Sequence, residues 1–125
     1  MKEPHILILE DNPSAISALQ SHITKMWPDA HTTIISTAAD VASQINPMPA
    51  DSWDAILLDY IAPDGYFHVL DFDKFGPDKI VAISNTEAYN QLAKDYGVTH
   101  VVRKSYSDLD SFADKVVGTI KQMLQ

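Results

Sequence analysis

The chain has 125 residues, 46% of them hydrophobic, no cysteine and a net charge of −8. That length suits one compact domain with a real core, and the missing cysteines exclude disulfides, thiolate metal sites and cysteine nucleophiles. The acidity excludes a basic nucleic-acid footprint; no secretory signal or apolar run of ~18 residues is present, so a cytoplasmic protein without a membrane segment is expected.

In chain order, His5–Glu10 (HILILE) reads as a first strand. Asn12 and Pro13 open a helix, Asn12 as N-cap and Pro13 at the first helical position. Ile16, Leu19, Ile23 and Met26 recur at helical spacing until Pro28 stops it. Thr33–Thr37 reads as the second strand. Thr37 or Ser36 caps a short helix reaching about Asn46, with Val41, Ala42 and Ile45 on its apolar side and Pro47 and Pro49 beyond it. Asp54–Asp59 is the third strand and Lys79–Ser84 the fourth. A helix from about Thr86 to Tyr96 turns Leu92, Ala93 and Tyr96 inward and stops at Gly97. Thr99–Arg103 is the fifth strand. Ser107 with Asp110 has the spacing of a capping box for a last helix. The apolar face of that helix is Leu109, Phe112, Val116, Val117, Ile120 and Met123. Trp27, Trp53, Tyr89 and Tyr96 read as packing residues.

Strand and helix thus alternate five times, which implies an α/β fold with a parallel sheet and right-handed crossovers. Strands one, three, four and five are apolar on both faces, as buried parallel strands are. The third crossover is the exception. Tyr66–Lys74 (YFHVLDFDK) is rich in aromatic and β-branched residues, a poor helix signal. A short, distorted or missing third helix is expected there.

In an open parallel sheet, ligands bind outside the carboxyl ends of the strands. Glu10 and Asp11 follow strand one, Asp59 ends strand three, Ser84 ends strand four and Lys104 follows strand five. Three carboxylates about 5 Å apart, at an effective dielectric near 20, repel by roughly 3 kcal/mol per pair. A hard divalent cation relieves that repulsion, and carboxylates with water suit Mg²⁺. A metal with a lysine is also what a transferring phosphoryl group needs, and a carboxylate can be the nucleophile. Other constellations fail. The five histidines have no zinc spacing. Asp71–Gly76 begins like a calcium loop, but its fifth position is Phe75 and its twelfth is Ala82. Neither a glycine-rich phosphate loop nor Gly-x-Ser-x-Gly is present.

The set Glu10-Asp11-Asn12, Asp59 with Pro63 four positions on, Ser84 and Lys104 resembles the receiver domain of two-component response regulators. The resemblance covers nearly the whole chain. It implies a flavodoxin-like (βα)5 fold with strand order 2-1-3-4-5, and a single receiver domain over 1–125 with no output domain. Asp59 would be the phosphoacceptor. Asp11 would bind Mg²⁺ directly, Glu10 mainly through water, and Asp59 and the Ile61 backbone carbonyl would complete the protein ligands. Ser84 and Lys104 would bind phosphoryl oxygens. The donor would be a histidine kinase or a histidine phosphotransfer protein, and the output partner would dock on the fourth helix, fifth strand and fifth helix. Such a domain supports its own phosphoryl transfer and dephosphorylation and has no separate substrate.

The pattern also departs from that family. Ser105 follows Lys104 where a proline is usual, and Val101 stands where an aromatic couples the hydroxyl to the output face. Tyr106 lies beyond the lysine. Asn85 replaces a small residue and is expected to narrow access to Asp59. Ile61 and Thr86 hold the positions that tune hydrolysis, and apolar Ile61 offers no hydrogen bond to an attacking water. Two functions therefore stand side by side: a phosphoacceptor switch, and a receiver-like binding module whose switch is degenerate or uncoupled. A haloacid-dehalogenase-type hydrolase would want an acid at Ile61, and flavin binding on this fold would want a phosphate loop that the chain lacks.

Overall fold

Five apolar runs form one parallel sheet: β1 (His5–Leu9), β2 (His31–Ile35), β3 (Ala55–Leu58), β4 (Ile80–Ala82) and β5 (His100–Val101). They belong to a computed structural model that describes residues 3–125. The strand order is β2-β1-β3-β4-β5, as the resemblance implies. Leu9, Leu58, Ala82 and Val101 stand side by side in register across four strands. The residues that follow them therefore emerge along one edge, and the switch in strand order falls between β1 and β3.

Helices cover both faces. On one side α1 (Pro13–Met26) and α5 (Leu109–Met123) bury Leu19, Ile23, Phe112, Val116 and Ile120 against Ile6, Ile8, Leu57 and Val81. On the other, Val41, Ile45, Phe67, Phe72, Phe75 and Ala93 cover Leu7, Leu9, Ile56 and Leu58. Each Val, Leu, Ile or Phe side chain among them taken fully from water contributes roughly 1.5–3 kcal/mol. Trp53 is buried in the second cluster, and Trp27 packs partly buried against the first.

Several boundaries differ from the sequence expectation. The second strand is His31–Ile35, not Thr33–Thr37. Ser36 and Thr37 leave the ladder because their hydroxyls are used elsewhere. Ser36 donates to the Glu10 carbonyl (3.0 Å), and Thr37 caps α2 (Ala38–Asp40) by accepting from the Asp40 N–H (3.2 Å). That helix widens into a π turn over Val41–Ile45, which leaves Ala42 exposed. Met26 is also exposed, and Ala15 takes its place in the apolar stripe of α1. The last helix is capped by Asp108, whose carboxylate accepts from the Ser111 N–H (3.0 Å). Ser107 instead bonds Ser105, so the Ser107–Asp110 box does not form.

In α4 (Glu87–Asp95) Ala93 is buried, but Leu92 and Tyr96 are exposed. The cause is Asn90, which is buried in their stead. Its side chain accepts from the Ser84 N–H (3.0 Å) and donates to the Ser84 carbonyl (2.8 Å), and this rotates the helix toward the Asn90–Ala93 face. Gly97 ends α4 as expected, at φ +99°, a conformation glycine tolerates best.

The third crossover is as irregular as its sequence suggests. A hairpin pairs Ile61–Ala62 with Gly65–Tyr66, a 3₁₀ turn covers Phe67–Val69, and α3 (Phe72–Phe75) has only four residues. The Asp64 carboxylate pins the hairpin to the start of α2 through the N–H groups of Ala38 (2.7 Å) and Ala39 (3.0 Å). Those two bonds hold Asp64 below the usual carboxylate range.

Candidate phosphoacceptor site

The sheet register builds the site. Glu10 follows Leu9 and Asp59 follows Leu58, and the Asp59 N–H donates to the Leu9 carbonyl (3.0 Å). Lys104, three residues past Val101, reaches back beneath them. Its ammonium donates to Asp59 Oδ2 (3.0 Å) and to Glu10 Oε1. All three are buried, with Glu10 0%, Lys104 3% and Asp59 8% exposed. A charged trio this dry persists only because each member is paired.

Glu10 is nearly saturated with donors. Its second oxygen accepts from the N–H groups of Asp11 (3.0 Å) and Asn12 (3.1 Å), which fixes the turn into α1. Asn12 in turn caps that helix by accepting from the Ala15 N–H (2.9 Å). Burial pushes the Glu10 carboxyl up to about 7; repulsion from Asp59 adds to this and Lys104 opposes it. For Lys104, burial works downward. The attraction and hydrogen bonds of Glu10 and Asp59 outweigh it and hold the ammonium above its ordinary range.

Asp59 Oδ1 accepts from the Tyr60 N–H (2.9 Å), so both of its oxygens are oriented. Its carboxylate faces a cavity of about 210 Å³ lined also by Asp11, Ile61, Ser84, Asn85, Thr86, Tyr89 and Tyr106. Ser84 is buried and caps the following turn, its hydroxyl accepting from the Thr86 N–H (3.1 Å). The donor set fits a hard divalent cation. Glu10, Asp11 and Asp59 offer oxygens within 4.8 Å of one another. With all groups ionised, three carboxylates beside one ammonium leave two negative charges to balance. Asp11, exposed at the rim, has the freest oxygens of the three.

Every residue singled out from the strand ends therefore meets at one place: Glu10, Asp11, Asp59, Ile61, Ser84 and Lys104. Sequence reasoning missed three others. Asn90 holds Ser84 by both backbone groups; its signal, a polar residue on the inward face of a helix, was overlooked. Tyr106 sets its ring 5.3 Å from the Lys104 nitrogen, a cation–π distance. Tyr89 is half-buried between the cavity and Tyr60, with the two rings stacked at 4.2 Å. We expect Asn90→Ala to lower unfolding free energy by about 3 kcal/mol, because two buried backbone groups of Ser84 lose their partners. Chemical denaturation checks this, and a loss under 1 kcal/mol would mean that water replaces Asn90.

No family model matches the sequence, and no curated protein matches it. Solved structures do match. The phosphorylated cyanobacterial phytochrome response regulator RcpA is 19% identical, with a TM-score of 0.80 over 98% of this chain and 95% of that one. The Mn²⁺-bound response regulator Rcp1 is 19% identical, at 0.71 over 90% and 91%. The Mg²⁺–BeF complex of response regulator TrrA from Thermotoga maritima is 15% identical, at 0.71 over 96% and 98%. The class is thus flavodoxin-like, five parallel strands between two helical layers. Within it, the fold is that of response-regulator receiver domains, over nearly the whole chain.

Proposed function

We propose that this protein is a phosphoacceptor switch. Asp59 accepts a phosphoryl group from a histidine kinase or a histidine phosphotransfer protein in the cytoplasm, with Mg²⁺ as the required cation. The observation that carries this reading is the buried Lys104 held by both Asp59 and Glu10, with Asp59 in turn facing a cavity that Asp11 also lines. Asp11, Asp59 and the Ile61 carbonyl would hold the cation, with Glu10 acting through water. When bound, the cation neutralises charge on the phosphoryl oxygens. An oxygen of Asp59 attacks phosphorus, a P–O bond forms, the P–N bond breaks and its electron pair leaves with the imidazole. Lys104 and the Ser84 hydroxyl then bind oxygens of the product. No separate substrate is turned over. Water later attacks phosphorus and restores the carboxylate.

The new charge, about −1.5 to −2, draws Lys104 and Ser84 toward it and shifts α4. Docking of an output protein on the face of α4, β5 and α5 follows. The test is incubation with Mg²⁺ and a small phosphoryl donor such as phosphoramidate, read by intact mass. One added phosphoryl, labile to hydroxylamine, is expected. None at all would sink the proposal.

Ile61 sets the lifetime. Half-exposed at the cavity, it offers water no hydrogen bond. Replacing it by Ile61→Asn should shorten the half-life of the phosphoryl group about fivefold, the worth of one net hydrogen bond of ~1 kcal/mol. An unchanged or longer half-life would contradict that role.

Val101 and Ser105 favour a second reading, a receiver-like binding module whose site no longer drives the output face. Val101 is half-buried and packs against the core beneath α4, with no ring to swing toward Ser84. Partner binding through α4, β5 and α5 that ignores phosphorylation would select this reading.

A further inference from the structure

The exposed apolar residues do not gather on the α4–β5–α5 face. Seven large hydrophobics are exposed among the described residues, and four of them, Tyr66, Val69, Leu92 and Tyr96, line one groove on the opposite flank of α4. Tyr60 and His68 complete its lining, and its volume is about 320 Å³. Burial pushes the His68 imidazole down to about 4, so the lining is uncharged at neutral pH. The rings are held in place by each other. Tyr60 packs on Tyr66 (4.9 Å) and edge-on to His68 (4.8 Å), while Tyr96 stacks on Phe72 at 4.5 Å and 9°. A rigid aromatic surface loses little entropy on binding, and such clusters are where interfaces concentrate their energy.

Charge selects the occupant. Asp95 precedes Tyr96 and is exposed, and Asp71 and Asp73 flank Phe72, also exposed. Those three acids outnumber the one nearby cation, Lys74, which keeps its charge; Lys94 faces away. Lys74 donates to the Asn46 carbonyl, and Lys94 lines the pocket toward Val101 and Arg103. The groove is therefore an apolar trough with acidic flanks. A second copy of this chain, at net charge −8, would bring acids against acids.

We propose that this groove docks an amphipathic helix of another protein, one that presents large apolar side chains at i, i+3 and i+4 flanked by Lys or Arg. Tyr60 links the groove to the site, since it follows Asp59 and stacks on Tyr89, which lines the phosphoacceptor cavity. Docking stands apart from the phosphoacceptor reading; any dependence on Asp59 rests on it.

The test is selection from a displayed library of helices with Leu, Phe or Met on one face and Lys and Glu randomised on the other. Expected are binders enriched in Lys, whose amide shifts map to 60–70 and 89–96, and which lose about tenfold or more in affinity with Leu92→Asp. Lys115→Glu on α5 should leave affinity unchanged. Leu92 is exposed, and an unchanged amide spectrum elsewhere confirms that the variant folds. Enrichment of acidic helices, no enrichment at all, binding indifferent to Leu92→Asp, or self-association removed by Leu92→Asp would each overturn the proposal. Beryllofluoride separates the two readings. Shifts at Asp59 with unchanged helix affinity leave the switch standing and the groove uncoupled from it. No shift at Asp59 removes the switch, while Leu92→Asp still decides the docking.

Discussion

Asp59→Asn leaves a folded protein that gains no phosphoryl group from phosphoramidate and Mg²⁺, a loss of at least about a hundredfold in rate, or roughly 2.7 kcal/mol in barrier. An amide oxygen is a neutral, weak nucleophile, and no neighbour can stand in. Glu10 is buried and already accepts from Lys104, Asp11 and Asn12. Asp11 is exposed and makes no bond to Lys104. Stability changes by less than about 1 kcal/mol, because the lost contact with Lys104 is offset by relief of the repulsion on Glu10. Intact mass and denaturant unfolding on the same sample check both parts. Phosphorylation surviving in Asp59→Asn would move the acceptor to Asp11.

Lys104→Met should cost about 3 kcal/mol of stability at pH 8. It strands Glu10, which is 0% exposed, without its cation. The sign of its pH dependence follows from Glu10. Burial already holds that carboxyl at about 7 against an ordinary 4.5, and removing the lysine raises it further. A carboxyl raised in the folded state binds more protons folded than unfolded. Its contribution is therefore fully present below about 4.5 and is lost as pH rises through the folded value. The deficit of Lys104→Met should thus grow from pH 5 to pH 8. Adding Glu10→Gln should recover most of it, since replacing both charges of a buried pair is close to neutral. A deficit independent of pH would mean that Glu10 is not the stranded group.

His68 runs the other way. Burial depresses it to about 4, with attraction from Asp59 opposing, so its neutral form stabilises the fold above about 6.5 and that support is lost as pH falls toward 4. His68→Phe should flatten the acid side of the stability profile over that window. An acid side as steep as in wild type would mean that His68 is protonated in the folded protein.

The sheet was legible because β1, β3 and β4 are apolar on both faces, a pattern that admits few structures other than buried parallel strands. The strand-end carboxylates were legible because turn residues follow them directly. The two edge strands were less so. β2 and β5 have only one neighbour each, so their ends are decided by what Thr37, Ser36 and Arg103 bond to elsewhere. Asn90 was only half legible for a related reason: its place on the inward helical face marks it, but its partner is a backbone, which has no identity in the sequence. The aromatic groove was hidden because its walls, the 66–69 turn and α4, are about two dozen residues apart. Tyr96 read as an inward helical residue, and only the rotation of α4 by Asn90 turns it outward beside Phe72.

The most direct test of the switch is an amide NMR spectrum of the labelled protein with Mg²⁺, then with Mg²⁺ and beryllofluoride, against Asp59→Asn. A working switch gives shifts near Asp11, Asp59 and Ser84 that spread through α4 to α5 in wild type alone. No response to either addition would contradict it, and the buried Lys104 with its two carboxylates would then be a structural ion pair and no more.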